Sequence, residues 1–151
     1  MAKIAVVSDE QYPVNQFVID WLKNKGHEVF LFGALQSQKE EPWVQVTAEA
    51  AQYISDNEAD EGIFFCWSGT GSAMVANRFP KIRAALCTDA ETARAGRTWN
   101  HANVLVLSNR LLSQDLAKEI LNAWFEDYDH LKGAAGVKAL DDLKINFNRQ
   151  N

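Results

Sequence analysis

The chain has 151 residues, 47% hydrophobic and 23% charged, which fits one globular domain at roughly 100–200 residues per domain and leaves no room for a second. A chain of this length hides about 70% of its unfolded surface on folding, so a mini-protein stapled by disulfides or metal is excluded. Fifteen Lys and Arg against twenty Asp and Glu give a net charge of −5, with no basic run to grip nucleic acid or an anionic membrane, which leaves a small molecule or another subunit as partner.

The first residues carry one Lys and a short apolar run that ends at Ser8-Asp9, far short of a signal-peptide core or a membrane span, so a cytoplasmic protein is expected. Residues 3–7 read as a strand. After polar Ser8-Asp9-Glu10, Pro13 and the stripe Val14, Phe17, Val18, Trp21 and Leu22 predict a helix that Gly26 closes. Residues 28–32 read as a second strand, Gly33 opens a polar loop through Glu41, and Pro42 with Val46, Ala50, Tyr53 and Ile54 predicts a second helix. Ile63-Phe64-Phe65-Cys66 is apolar without alternation, as strands covered on both faces are, and belongs at the centre of a sheet.

Beyond it come Gly69-Thr70-Gly71, a helix over 72–78, a strand over 82–86, a helix over 90–98 and a strand over 102–107. Ser113 can cap a further helix with the stripe Leu116, Ile120 and Trp124. This alternation predicts a doubly wound, Rossmann-like α/β/α domain over residues 1–126, with a five-stranded parallel sheet in the flavodoxin-type order 2-1-3-4-5. Residues 127–151 read as a C-terminal tail helix that packs on a neighbouring subunit. In such a sheet the ligand sits outside the carboxyl ends of the strands where strand order reverses. Four loops are therefore expected there: Ser8-Asp9-Glu10, residues 66–72, Thr88-Asp89, and Trp99-Asn100-His101 with Arg110.

Cys66-Trp67-Ser68-Gly69-Thr70-Gly71-Ser72 is the most informative segment, because a strand ends in a thiol and runs into a Gly-rich turn that starts a helix. The glycines allow tight backbone, amide N–H groups after them can point at an anion, and a thiol near a helix start is in the setting of reactive cysteines. Local pattern alone leaves two readings open: a binding loop with Cys66 as base or nucleophile, or a buried strand-end thiol before an ordinary turn. The Gly-Lys-Ser/Thr ending of a P-loop is missing, and no glycine follows the first strand, so neither nucleotide-binding class is favoured. Cys87 reads as core, and His101 as a solvated loop residue. Two cysteines and three scattered histidines form no zinc spacing, and nothing in the sequence calls for a metal or other cofactor. Asp9 reads either as a helix cap or as a site residue beside Cys66. Trp21 and Trp124 lie on core stripes, whereas Trp67 and Trp99 fall in the candidate loops, where an indole can stack on a sugar face or pack at a subunit interface.

The ordered set Ile4-Ala5-Val6-Val7-Ser8-Asp9, Lys25-Gly26-His27-Glu28-Val29 with Phe32-Gly33, Cys66-x-Ser68-Gly69-x-Gly71 through Ala76-Asn77, residues 82–87 with Asp89, and Asn100-x-Ala102-Asn103-Val104-Leu105 with Arg110 resembles a sugar-phosphate isomerase family. That family contains ribose-5-phosphate isomerase B and the subunits of galactose-6-phosphate isomerase, and the similarity runs from Lys3 to about Trp124. The resemblance implies aldose–ketose isomerisation through a cis-enediolate. Cys66 would be the base, Ser68, where the family has Thr, the proton shuttle, and Asp9 the holder of sugar hydroxyls. The backbone amides from Trp67 through Gly69, Thr70 and Gly71 to Ser72, with Asn100, would stabilise the enediolate oxygen. It also implies a homodimer or tetramer with the site completed across a subunit interface.

The departures from the family pattern are part of the resemblance. Glu10 stands where the family has a phosphate-contacting His, Trp99 where it has a His that helps open the sugar ring, and Trp67 where it has Gly. No Arg stands in Lys132-Gly133-Ala134-Ala135-Gly136-Val137-Lys138, where the family contacts phosphate. Each lost charged contact costs about 1.5–3 kcal/mol, which implies a changed substrate: a shorter sugar phosphate, or a sugar without phosphate stacked on Trp67 and Trp99. Glu10, Trp67, Trp99, Asn100 and Arg110 are thus candidate substrate-binding residues. The alternatives are a catalytically silent sugar-binding member or partner subunit of a related isomerase, and an epimerase using the same carbon-acid chemistry.

Overall fold

The apolar runs become the strands β1 (Lys3–Ser8), β2 (Glu28–Gly33), β3 (Glu61–Cys66), β4 (Ala84–Leu86) and β5 (Val104–Ser108) in a computed structural model that describes residues 1–143. The helices among those residues are α1 (Pro13–Asn24), α2 (Ala34–Ser37), α3 (Trp43–Ser55), α4 (Thr70–Ala76), α5 (Ala90–Asn100), α6 (Gln114–Trp124) and α7 (Ala134–Asp141). Every strand pair is parallel. The doubly wound three-layer α/β/α architecture, with its five-stranded parallel sheet and C-terminal helix, is as expected.

The strand order is β2-β1-β3-β5-β4, which corrects the flavodoxin-type order: the last two strands trade places. Burial explains the exchange. Val104-Leu105-Val106-Leu107-Ser108 is buried throughout and needs cover on both faces, whereas β4 is three residues long and half-buried, as suits an edge. A second correction concerns residues 33–41, where Ala34 and Leu35 bury themselves in the short helix α2 and Gln38 ends it in a left-handed turn.

Alternating strand residues divide the core in two. Ile4, Val6, Ile63, Phe65, Leu105 and Leu107 pack under α1, α5 and α6, while Ala5, Val7, Phe64, Val104 and Val106 pack under α3 and α4. The chain therefore leaves β3 toward one face of the sheet and leaves both neighbours, β1 and β5, toward the other. The carboxyl end of β3 lies in a crevice on each side, a stronger form of the switch point than the expected order offered.

The described part of the tail belongs to the same body: α7 packs on α5, Val137 is buried, and Asp141 pairs with Arg83 at 3.5 Å. The rest of the predicted tail, residues 144–151, lies outside the described residues. No helix among the described residues is long and apolar enough to cross a membrane.

Candidate active site

The register sets the neighbours of Cys66. Ser8 of β1 lies opposite Phe65, and Cys66 opposite Ser108, so the chain segments that begin at Asp9 and Asn109 flank the end of β3. Hydrogen bonding between β3 and β5 continues past the strand ends: Asn109 N–H donates to the Cys66 carbonyl at 3.0 Å, and the Trp67 carbonyl accepts from Arg110 N–H and from Ser108 Oγ at 3.0 Å each. A buried amide relay braces the other side. Asn15 Nδ2 donates to Asn109 Oδ1 at 2.8 Å, Asn109 Nδ2 donates to Ser8 Oγ at 3.2 Å, and Ser8 Oγ donates to the Glu10 carbonyl. A satisfied buried network of this kind fixes loops that surface contacts would leave free. Sequence reading missed Asn15 and Asn109; the signals were a polar residue inside the apolar stripe of α1 and an Asn directly after a strand.

Cys66 is 6% exposed, and Gly69 N–H donates to its Sγ at 3.2 Å. Gly69 reaches back this way because its φ is +82°, and a Cβ there would lie 2.5 Å from Leu86 Cδ1. Ser68 Oγ shares a hydrogen bond of 2.7 Å with Thr70 Oγ1. The other thiol is different in kind. Cys87 is core as expected, and burial, with Asp89 nearby, pushes its pKa up to about 12. Iodoacetamide at pH 8 is expected to label the native protein at one thiol, to label Cys87→Ala equally, and to leave Cys66→Ala unlabelled until it is denatured, as read by intact mass.

Asp9, Trp43, Cys66, Trp67, Ser68, Thr70 and Gly71 line one cleft of about 210 Å³. Asp9 is no helix cap: the N–H of Tyr12, which precedes α1, is taken by Asn15 Oδ1 at 2.7 Å, and Asp9 Oδ1 is buried with no partner among the described residues. Burial raises the Asp9 pKa above the ordinary carboxylate value, and the carboxylates of Glu10 and Glu40 add to the rise. A carboxyl raised in this way contributes stability that is present in full below its unfolded pKa and is lost as pH rises through the folded value. Asp9→Asn is therefore expected to melt at a higher temperature than wild type at pH 7, with the gain vanishing near pH 3.5, as measured by paired thermal melts.

The structure thus brings together Asp9, Cys66, Trp67, Ser68, Gly69, Thr70 and Gly71, with Arg110 beside them, its guanidinium 5.1 Å from the Trp67 ring. Glu10 stands in the adjoining loop, where its Oε2 accepts from Tyr12 Oη at 3.0 Å, and does not line the cleft. Ser72 is turned inward, its buried hydroxyl donating to the Phe65 carbonyl. Asp89 of the third candidate loop caps α5, accepting from Thr92 N–H at 2.7 Å. Trp99 and Asn100 are not at this edge, which corrects the expectation. They form the last turn of α5, and the chain passes from them into the amino end of β5, whereas Cys66 pairs with its carboxyl end. His101 is likewise not a solvated loop residue: it is half-buried in a left-handed turn after α5, its ring 5.7 Å from Tyr128 and 5.8 Å from His130. Trp43, missed in the sequence, joins the cleft from the first turn of α3.

Comparison with known proteins identifies the family and matches the fold. The profile of the family described as ribose/galactose isomerase matches residues 4–139. D-erythrulose-4-phosphate isomerase of Pectobacterium atrosepticum is 32% identical over 127 residues, which span 83% of this chain and 84% of that protein. Ribose-5-phosphate isomerase B of Escherichia coli is 29% identical over 149 residues, 95% of this chain and 99% of that protein. The crystal structure of a ribose 5-phosphate isomerase from Thermotoga maritima superposes with a TM-score of 0.84 at 33% identity, covering 94% of this chain and 99% of that one. The chain belongs to the ribose/galactose isomerase family.

Proposed function

We propose that the chain interconverts the aldose and ketose forms of a short sugar phosphate, with Cys66 as the base. The observation that carries this reading is the Cys66 thiol, which accepts the Gly69 N–H at 3.2 Å and lines one cleft with Ser68 and Asp9. Proton abstraction beside a carbonyl needs a positioned base and fixed donors where negative charge develops, and this turn offers both.

In the forward direction the Cys66 thiolate takes the proton from the carbon next to the aldehyde. The C–H electron pair becomes the new C=C bond, and the carbonyl π pair moves onto its oxygen, giving a cis-enediolate. Ser68 gives its hydroxyl proton to that oxygen and takes the proton of the neighbouring one. The Cys66 thiol then returns its proton to the former carbonyl carbon, the second oxygen becomes the ketone, and the thiolate is restored. Backbone amides of residues 67–72 stabilise the intermediate, Asp9 accepts the sugar hydroxyls, and Arg110 draws the anionic end. Trp99, 55% exposed at the far edge of the sheet, and Asn100 serve the cleft of a second copy in a dimer or tetramer, with the tail at that interface. A four-carbon substrate fits the small cleft and the name of the Pectobacterium relative.

The test is proton NMR of the protein with erythrose 4-phosphate, ribose 5-phosphate, galactose 6-phosphate and the corresponding free sugars. Ketose should form fastest from the four-carbon phosphate. Ketose from none of them would overturn the reading.

A further inference from the structure

We infer that Trp43 sets the upper limit on substrate chain length, an inference that rests on the isomerase reading above. Trp43 opens α3, and its indole lies on the turn that follows Cys66: a Cβ built at Gly71 would come within 2.8 Å of the ring. The ring sits this low over the turn only because residue 71 has no side chain, and it occupies the space such a side chain would take. Its backbone is pinned from both directions. Glu41 N–H donates to the Asp9 carbonyl at 2.9 Å just before α3, and Val46 N–H donates to the Pro42 carbonyl at 3.1 Å just after its start.

Trp43 is 45% exposed, so this indole is not core filling. It forms a wall of the cleft shared by Cys66, Ser68 and Thr70. The other walls have separate tasks. Trp67 carries the Arg110 guanidinium and is fixed to β5 through its own carbonyl, and Asp9 is the acid on the β1 side. The cleft, at about 210 Å³, lies below the roughly 300–1,000 Å³ of ordinary small-molecule sites. With the reacting carbons held at Cys66 and the anionic end drawn toward Arg110, each added carbon must bow outward, and Trp43 bounds that space.

The test compares kcat/KM for erythrose 4-phosphate, ribose 5-phosphate and galactose 6-phosphate in wild type, Trp43→Phe and Trp43→Ala. Wild-type values should fall with each added carbon. In Trp43→Ala the six-carbon to four-carbon ratio should rise by about tenfold or more, the scale of discrimination by one methylene-sized space, mostly through a lower KM for the longer substrates. Trp43→Phe should fall between. An unchanged ratio in both variants overturns the inference, as does an equal loss on all three substrates, which marks a merely structural role. A wild type that turns over none of them overturns the isomerase reading itself, a result separable from either.

Discussion

Cys66→Ala is expected to lower kcat for isomerisation by about a hundredfold to ten-thousandfold, the range for removing a positioned general base. The thiol sits at the end of a buried central strand, its sulfur receives one backbone N–H, and Asp9 and Ser68 share its cleft. KM should change little, because the sulfur contributes to proton transfer more than to ground-state binding. Only one sulfur is deleted, so the melting temperature should stay near that of wild type, which separates lost chemistry from lost fold. Cys66→Ser should not restore activity, since an alcohol is a far poorer base than a thiolate. Steady-state kinetics with the substrate found in the panel, with a melt of each variant, checks this.

The largest effect on stability is expected from Trp124→Ala. Trp124 is fully buried at the end of α6, where its Nε1–H donates to Glu61 Oε2 at 3.0 Å. Glu61 Oε1 in turn accepts from Arg97 Nη2 at 2.8 Å, and the Arg97 guanidinium lies 4.7 Å from the Trp124 ring. The indole thus joins β3, α5 and α6 at the amino edge of the sheet, opposite the cleft. Truncation removes core volume and strips a half-buried carboxylate of a donor, a loss of about 3–5 kcal/mol. For a chain of this size that lowers Tm by about 6–20 °C. Trp124→Phe keeps most of the ring and loses only the N–H, so it should fall by much less. Thermal and urea melts followed by circular dichroism measure both.

Much of the fold could be read because hydrophobic period and punctuation agree along the chain. Pro13, Gly26, Pro42 and Ser113 mark helix ends, and the unalternating run ending at Cys66 identifies a covered strand. The order of β4 and β5 is legible too, in the composition of the two segments rather than in the fold type. Val104-Leu105-Val106-Leu107 is the more apolar and belongs inside, and Ala84-Ala85-Leu86 belongs at the edge.

The candidate cleft was legible where it is local and illegible where it depends on packing. Cys66, Ser68, Gly69, Thr70 and Gly71 are consecutive, so one turn carries them, and strand pairing adds Asp9. Trp99 and Asn100 were misplaced because a segment that precedes a strand enters a parallel sheet at its amino edge, whatever family motif it carries. Trp43 carries no local signal; only the missing Cβ of Gly71 brings its ring onto the turn. Asn15 and Asn109 are far apart in sequence, and their bond exists only once α1 packs beside the end of β5.

The most direct test of Cys66 as the proton-transferring group is isomerisation in deuterated water, comparing wild type with Cys66→Ala. In wild type, deuterium should enter the carbon beside the carbonyl in the product, and in returned substrate at partial conversion; both signals should disappear in the variant at matched enzyme concentration. Isomerisation with undiminished deuterium uptake in Cys66→Ala would contradict the account.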